Sequence, residues 1–295
     1  MGEADRRDER GGSRVARVLL GVCLALMIPV AAWLVPTATT GGARSLPELA
    51  DDRAPVARAA AAPRWTPTDV VYRSARRSDG SSVDLYVNVY GPSGDANRAR
   101  PVVVVLHPGG FAFGDRTDPG TVALAQQFAA RGYVAITPDY RTRPDWDFTM
   151  DDAETLALGV ADARDDVLAS IDWIEEHAPA LGVDPTRVAV VGRSAGAMTA
   201  LALASDDVTA VVSSAGCWVG GPELSAASAP ALLIHGSDDT VVPPSCAEET
   251  AATATAGGER VELLILPGVW HEATEAEDQW WDAVEQHFRE AGLAV

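Results

Sequence analysis

Four short stretches of the chain each place a reactive or hydrogen-bonding side chain beside glycines, directly after an apolar run. Gly192-Arg193-Ser194-Ala195-Gly196 follows the run 187–191 and precedes an Ala-rich segment. A G-x-S-x-G between strand and helix forms a tight turn that lifts the serine hydroxyl away from the backbone. Such a hydroxyl becomes a nucleophile only with a base to take its proton, a carboxylate to orient the base, and N–H donors for the oxyanion that forms. The other three stretches offer these parts. His107-Pro108-Gly109-Gly110-Phe111 follows 101–106, and its glycines let backbone N–H groups approach an oxyanion closely, with the Ala195 N–H as a further donor at a helix start. His235-Gly236-Ser237-Asp238-Asp239 follows 231–234 and supplies two adjacent carboxylates. Pro267-Gly268-Val269-Trp270-His271 follows 261–266 and supplies an imidazole. The order serine, acid, histidine is the one expected for a nucleophile on a strand-to-helix elbow. The chemistry implied is acyl transfer through a serine ester. Of the other histidines, His177 ends a helical segment, His287 lies within one, and His107 and His235 precede glycine turns; these read as capping or hydrogen-bonding residues.

The elements that must position these residues alternate along the chain. Segments 69–75 and 82–90 alternate apolar and polar residues, as a half-buried antiparallel hairpin does. From 101 onward the strand signals are continuous apolar runs: 101–106, 133–137, 187–191, 208–213, 231–234 and 261–266. Continuous runs mean strands buried on both faces, hence a parallel sheet covered by helices. Helical segments are expected at about 119–131, 152–178, 195–204, 244–256 and 274–291. The fold class is therefore α/β, two antiparallel-type and six parallel-type strands, with working residues at the C-terminal strand ends.

Composition removes several other chemistries. All 23 basic residues are Arg, and without Lys there is no Schiff base, Ser–Lys dyad or Walker-type phosphate loop. The net charge is −19. Residues 1–100 hold 14 Arg and 11 acids, whereas 101–295 hold 9 Arg and 31 acids. A body so acidic repels phosphate backbones, so nucleic acid is not an expected partner. Three Cys without a CxxC pair and five His without HExxH give no recognisable metal site, and the chemistry above needs no cofactor.

The N-terminus reads as an export element. Residues 1–17 are polar and carry five Arg, and 18–36 contain no charge over 19 residues. In a helix that stretch spans about 28 Å, close to a bilayer's hydrocarbon thickness. A secretory apolar region is usually shorter and is followed by a small-residue cleavage site, and 37–43 offers no clean A-x-A. The length favours an uncleaved transmembrane segment with 1–17 as a cytoplasmic tail; a cleaved signal is the alternative. Both make the remainder extracytoplasmic, either membrane-anchored or secreted. Residues 37–66 lack periodicity and read as a flexible linker, which leaves 67–295 as one catalytic domain.

Over 67–295 the chain resembles the α/β-hydrolase superfamily, and within it carboxylesterases of the hormone-sensitive-lipase-like and feruloyl-esterase-like kind. HPGGFAFGD is similar to the HGGG-type oxyanion loop, with Pro in place of one Gly. ITPDYRTRP, ARDDVLASIDWI and LGVDPTRVAVVGRSAGA are similar to the strand, helix and elbow of these esterases. HGSDDTVVP is similar to HGxxDxxVP, and this resemblance selects Asp239 over Asp238. It implies an α/β-hydrolase fold with an eight-stranded, mostly parallel sheet, a triad of Ser194, Asp239 and His271, and an oxyanion hole from Gly109, Gly110 and Ala195. Two positions depart from the family pattern. Arg193 stands where Asp or Glu is frequent, and a structural ion pair is its expected role. Trp270 stands where Gly usually precedes the histidine.

The 216–229 segment is too short for a substantial cap, so an open cleft is expected, walled by Phe111, Trp218, Trp270 and 141–150. An open cleft suits neutral small-molecule or polymeric esters better than long-chain lipids. Cys217 follows the 208–213 strand and Cys246 begins the helix after Asp239, so a disulfide between them is expected if those strands are neighbours. The same triad would also serve a peptidase or amidase, or a lactone or polyester hydrolase. A catalytically silent, membrane-tethered binding protein on this fold is a further alternative.

Overall fold

The computed structural model describes residues 69–91, 99–146, 150, 152–221, 224–271 and 278–295. The expected tail, transmembrane or signal segment and linker at 1–66 lie outside these residues. Among the described residues no helix is long and apolar enough to cross a membrane.

Eight strands form one sheet: β1 (Val70–Arg76), β2 (Ser82–Tyr90), β3 (Arg100–Leu106), β4 (Val134–Pro138), β5 (Val183–Arg193), β6 (Ala210–Ser214), β7 (Ala231–Gly236) and β8 (Val261–Leu266). Their spatial order is β1-β2-β4-β3-β5-β6-β7-β8. The half-alternating β1 and β2 pair antiparallel with each other, and β2 pairs antiparallel with β4. All further pairings are parallel, as the continuous apolar runs require.

Helices α1 (Pro119–Ala130), α2 (Ala153–Leu181), α3 (Ala195–Ala202), α4 (Pro244–Gly257) and α5 (Asp278–Glu290) cover the sheet. The strand period sorts β3 into two layers. Val102, Val104 and Leu106 pack with α2 and α3, whereas Val103 and Val105 pack with α1 and α5. The second layer is strongly aromatic, with Phe128, Trp280, Trp281 and Phe288 in mutual contact. Aromatic side chains bury large areas, which suits the two helices that cover this face.

Several boundaries differ from the sequence reading: β5 already begins at Val183, and two other ends have a clear local cause. Helix α2 runs past Pro179 and ends where Gly182 adopts φ 67° and donates its N–H to Ala178 O. The left-handed glycine closes the helix, rather than the proline, which sits in its last turn. Strand β6 starts at Ala210 rather than 208, because Val208 N–H turns back to Asp206 O.

The parallel register decides where the chemistry falls. Leu106 lies opposite Gly192, Arg193 opposite Ser214, and Gly236 opposite Leu266. The four glycine-bearing stretches consequently leave the sheet along the same edge.

Candidate active site

Ser194 occupies the turn between β5 and α3 with φ 52° and ψ −119°. A side chain in that region costs on the order of 1–3 kcal/mol and persists only where its surroundings enforce it. The Ser194 N–H donates to Ser214 O at 3.0 Å, which ties the turn to β6. A Cβ at Gly192 would collide with the Gly196 carbonyl, and one at Gly196 would lie 2.7 Å from both Leu106 O and His107 O. The elbow glycines are thus required by close backbone approach, and the second of them seats the elbow against the start of the 107–114 loop.

His271 Nε2 lies 3.0 Å from Ser194 Oγ, and His271 Nδ1 lies 2.8 Å from Asp239 Oδ2. The carboxylate accepts a proton-bearing Nδ1, leaving the Nε2 lone pair to accept from the serine hydroxyl. Asp239 Oδ1 accepts the N–H groups of Val241 and Val242 at 2.8 and 2.9 Å. Asp238 is exposed and bonds locally, its Oδ1 accepting from Ser237 Oγ, so the adjacent carboxylates are separated by burial. A Cβ at Gly236 would collide with Val269 O and sit 2.7 Å from Trp270 O, so this glycine lets the histidine loop close over the end of β7.

The loop after β3 is braced from beneath. His107 stacks on Tyr140 with ring centroids 3.9 Å apart, and Tyr140 donates its hydroxyl to His107 O at 2.6 Å. Burial holds the His107 pKa below its ordinary value and pushes that of Tyr140 up, so both are neutral at pH 7. His107 Nδ1 therefore donates to Pro108 O, 2.7 Å away. Among the described residues no acceptor takes up the N–H of Gly109, Gly110 or Ala195. Three backbone donors left in this state can serve an oxyanion.

The expected cleft walls divide. Trp270 is 51% exposed, donates Nε1–H to Thr240 Oγ1 at 2.9 Å, and stands edge-on to His271. Trp218 is 37% exposed and held by its N–H to Thr250 Oγ1. Phe111 is a correction: it is fully buried and lines no open cleft. Its φ of 62° turns the ring inward, where it stacks with Trp146 and packs over Gly159. Phe113, two residues on, is the exposed aromatic of this loop at 70%. Phe111 and Phe113 look alike in sequence because spacing alone does not reveal a positive φ.

Arg193 pairs with Asp118 at 3.4 Å, in line with a structural role. Cys217 and Cys246 are joined as a disulfide with a Cα separation of 5.6 Å. The bond links the loop after β6 to the start of α4. Residues 215–221 and 224–230 contain neither helix nor strand, so the described part of this connection builds no cap. A groove of about 470 Å³ runs along α4 between Trp218, Leu224, Cys246, Thr250 and Glu259; none of Ser194, Asp239 and His271 lines it. Among the described residues no group of three or more His, Cys, Asp or Glu could hold a metal ion.

Residues 57–226 match the carboxylesterase family, a stretch that includes the 107–114 loop and the elbow but stops short of Asp239 and His271. Carboxylesterase NlhH of Mycobacterium tuberculosis is 32% identical over 179 residues, which cover 59% of this chain and 49% of that protein. The para-nitrobenzyl esterase of Bacillus subtilis is 34% identical over 143 residues, covering 46% of this chain and 28% of that protein. The chain thus spans about half or less of the length of these relatives. Among solved structures, an esterase of the planctomycete Thermogutta terrifontis superposes with a TM-score of 0.61 at 22% identity, over 77% of this chain and 93% of that one. At that identity the likeness is one of fold. The family match covers more than half of the chain and reaches from before β1 past the elbow, and on that extent the chain belongs to the carboxylesterase family.

Proposed function

We propose that this chain is a serine carboxylesterase that hydrolyses neutral small-molecule or polymeric esters through an acyl-enzyme. The observation that carries the reading is the unbroken relay from Ser194 Oγ through His271 to Asp239, at 3.0 and 2.8 Å. In the first half-reaction Ser194 Oγ attacks the ester carbonyl carbon while His271 Nε2 takes the hydroxyl proton. The carbonyl π electrons move onto oxygen, where the N–H groups of Gly109, Gly110 and Ala195 are the donors assigned to receive it. The tetrahedral intermediate collapses, the C–O bond to the alcohol breaks, and His271 returns the proton to the departing oxygen. Water repeats the sequence on the acyl-serine and releases the acid. Asp239 stays ionised throughout and stabilises the imidazolium of His271.

Trp218 and Trp270 are assigned to the rim of the substrate cleft, with Phe113 replacing Phe111. The acidity of residues 101–295 disfavours anionic esters. Export is part of the same proposal: residues 18–36 serve as anchor or signal, and 67–295 act outside the cytoplasm, where a disulfide such as Cys217–Cys246 persists. No cofactor enters the reaction.

Two measurements test the reading together. A fluorophosphonate probe should label the protein at Ser194, identified by peptide mapping. Matched p-nitrophenyl ester and anilide substrates should show the ester hydrolysed and the anilide refractory. Faster cleavage of the anilide would convert the assignment to an amidase, and absence of labelling with absence of hydrolysis would leave the silent binding protein.

A further inference from the structure

His235 is a fully buried imidazole that the reaction sequence above leaves unused. It is the polar residue near the end of β7, whose preceding positions Ala231 to Ile234 are apolar and buried. Burying such a group is costly unless its hydrogen bonds are made. Its Nε2 lies 2.9 Å from Val242 O and 3.1 Å from Asp239 Oδ2. Both neighbours are acceptors, a carbonyl and a carboxylate, so Nε2 carries the hydrogen; it donates to Val242 O, and the same polarised N–H lies beside Asp239 Oδ2. Nδ1 is buried and has no hydrogen-bond partner among the described residues, which fits a lone pair there better than a second N–H.

Asp239 therefore accepts three N–H hydrogen bonds and has His235 Nε2 as a fourth nitrogen 3.1 Å away. Val241 and Val242 bond Oδ1 and His271 bonds Oδ2, while His235 Nε2 is in electrostatic contact with Oδ2 on its buried side. The two imidazoles differ in situation. His271 stands at the opening beside Ser194, and its partner His235 is sealed inside the sheet.

We propose that His235 is a positioning residue of the esterase site, acting through Asp239 and not on substrate. The reading rests on the triad assigned under Proposed function and adds a fourth member to it. With Oδ1 held by backbone N–H groups and Oδ2 backed by the His235 Nε2–H that Val242 O fixes in place, the carboxylate plane stays fixed while His271 gains and loses its proton. The His235 N–H also keeps Oδ2 a pure acceptor, so the proton taken from Ser194 stays on His271 and goes on to the leaving alcohol. Val242 O anchors the imidazole itself, tying the acid turn to the strand that carries it.

Three variants test this, with kcat referred to sites titrated by a fluorophosphonate so that unfolded protein does not count. His235→Leu removes the donor and His235→Asn makes it too short to reach Oδ2. Each should lower kcat per titrated site by about 10–100-fold, the scale of a misplaced catalytic group, with KM within about 2-fold. His235→Gln keeps a donor at nearly the same reach and should recover kcat to within about 5-fold of the parent. Should the Leu variant fail to fold, the contrast between Asn and Gln carries the test. Parental kcat per titrated site in either shortened variant would overturn the proposal, as would a Gln variant no better than Asn. Failure of the triad reading looks different: the parent protein would not be labelled at all, or Ser194→Ala would retain activity.

Discussion

Asp238 and Asp239 are neighbours in sequence with the same chemistry, and only their surroundings distinguish them. Asp239 is 4% exposed, bonded to two backbone N–H groups and the His271 imidazole and backed by His235, while Asp238 faces solvent. Asp239→Asn should lower kcat by about 10⁴-fold, because the amide would favour the wrong tautomer of His271. Asp238→Asn should stay within about 2-fold, because its exposed carboxylate bonds only Ser237 Oγ and touches no triad member. Steady-state hydrolysis of one p-nitrophenyl ester by both variants checks the pair, and equal losses would contradict the assignment. At this scale the sequence was legible where spacing itself encodes geometry, as in the Gly192–Gly196 elbow and the order of Ser194, acid and His271. It was not legible where a side chain's direction depends on backbone torsion. Phe111 and Phe113 look equivalent beside the oxyanion glycines, yet the φ of 62° at Phe111 sends that ring into the core and leaves Phe113 at the surface. The role of His235 was hidden for a similar reason: a histidine before a glycine turn reads as a generic hydrogen-bonding residue until its partner is known.

Strands buried on both faces leave long apolar runs, so β3, β7 and the second half of β5 could be found by inspection, and β1 and β2 by their alternation. Ends were less legible because capping is decided by single residues; Gly182 rather than Pro179 closes α2. The acid turn between β7 and α4 is clamped to its neighbours at separate points. Trp270 Nε1 bonds Thr240, and Cys246 at the start of α4 is bonded to Cys217 beyond β6. The disulfide closes a sequence separation of 29 residues, for which chain entropy gives about 3–4 kcal/mol of stabilisation. Replacing both cysteines by Ala should lower Tm by roughly 6–12 °C for a domain of this size. Scanning calorimetry under non-reducing conditions checks this, and an unchanged Tm would show that the bond adds no constraint. Gly236→Ala should be more damaging than its size suggests, because the new Cβ would meet Val269 O and Trp270 O and push the loop of His271 away from β7. We expect its soluble fraction to show a loss of kcat of about 100-fold or more, the cost of displacing a reacting group by about 1 Å.

The described residues pack an apolar core in two layers beneath an acid-rich sequence, and the titration of the buried groups reflects that division. His287 sits among the buried residues of α5, where burial holds its pKa below the ordinary value. A histidine kept neutral by folding favours the folded state above its unfolded pKa of about 6.5, and that contribution is lost as pH falls through the lower folded value. Tm should therefore decline on acidification from pH 7 to pH 5, and His287→Gln should flatten that decline; parallel slopes in the two proteins would argue against this origin. The net charge of −19 bounds partners more than it identifies them, since it repels polyanions and leaves neutral esters open. The account as a whole depends on one hydroxyl. Its most direct test is the turnover of purified Ser194→Ala on a short-chain p-nitrophenyl ester beside the parent protein, with circular dichroism to show that both are folded. The account predicts that kcat falls by about a millionfold and that fluorophosphonate labelling disappears. A folded Ser194→Ala protein that hydrolyses the ester at the parental rate would contradict it.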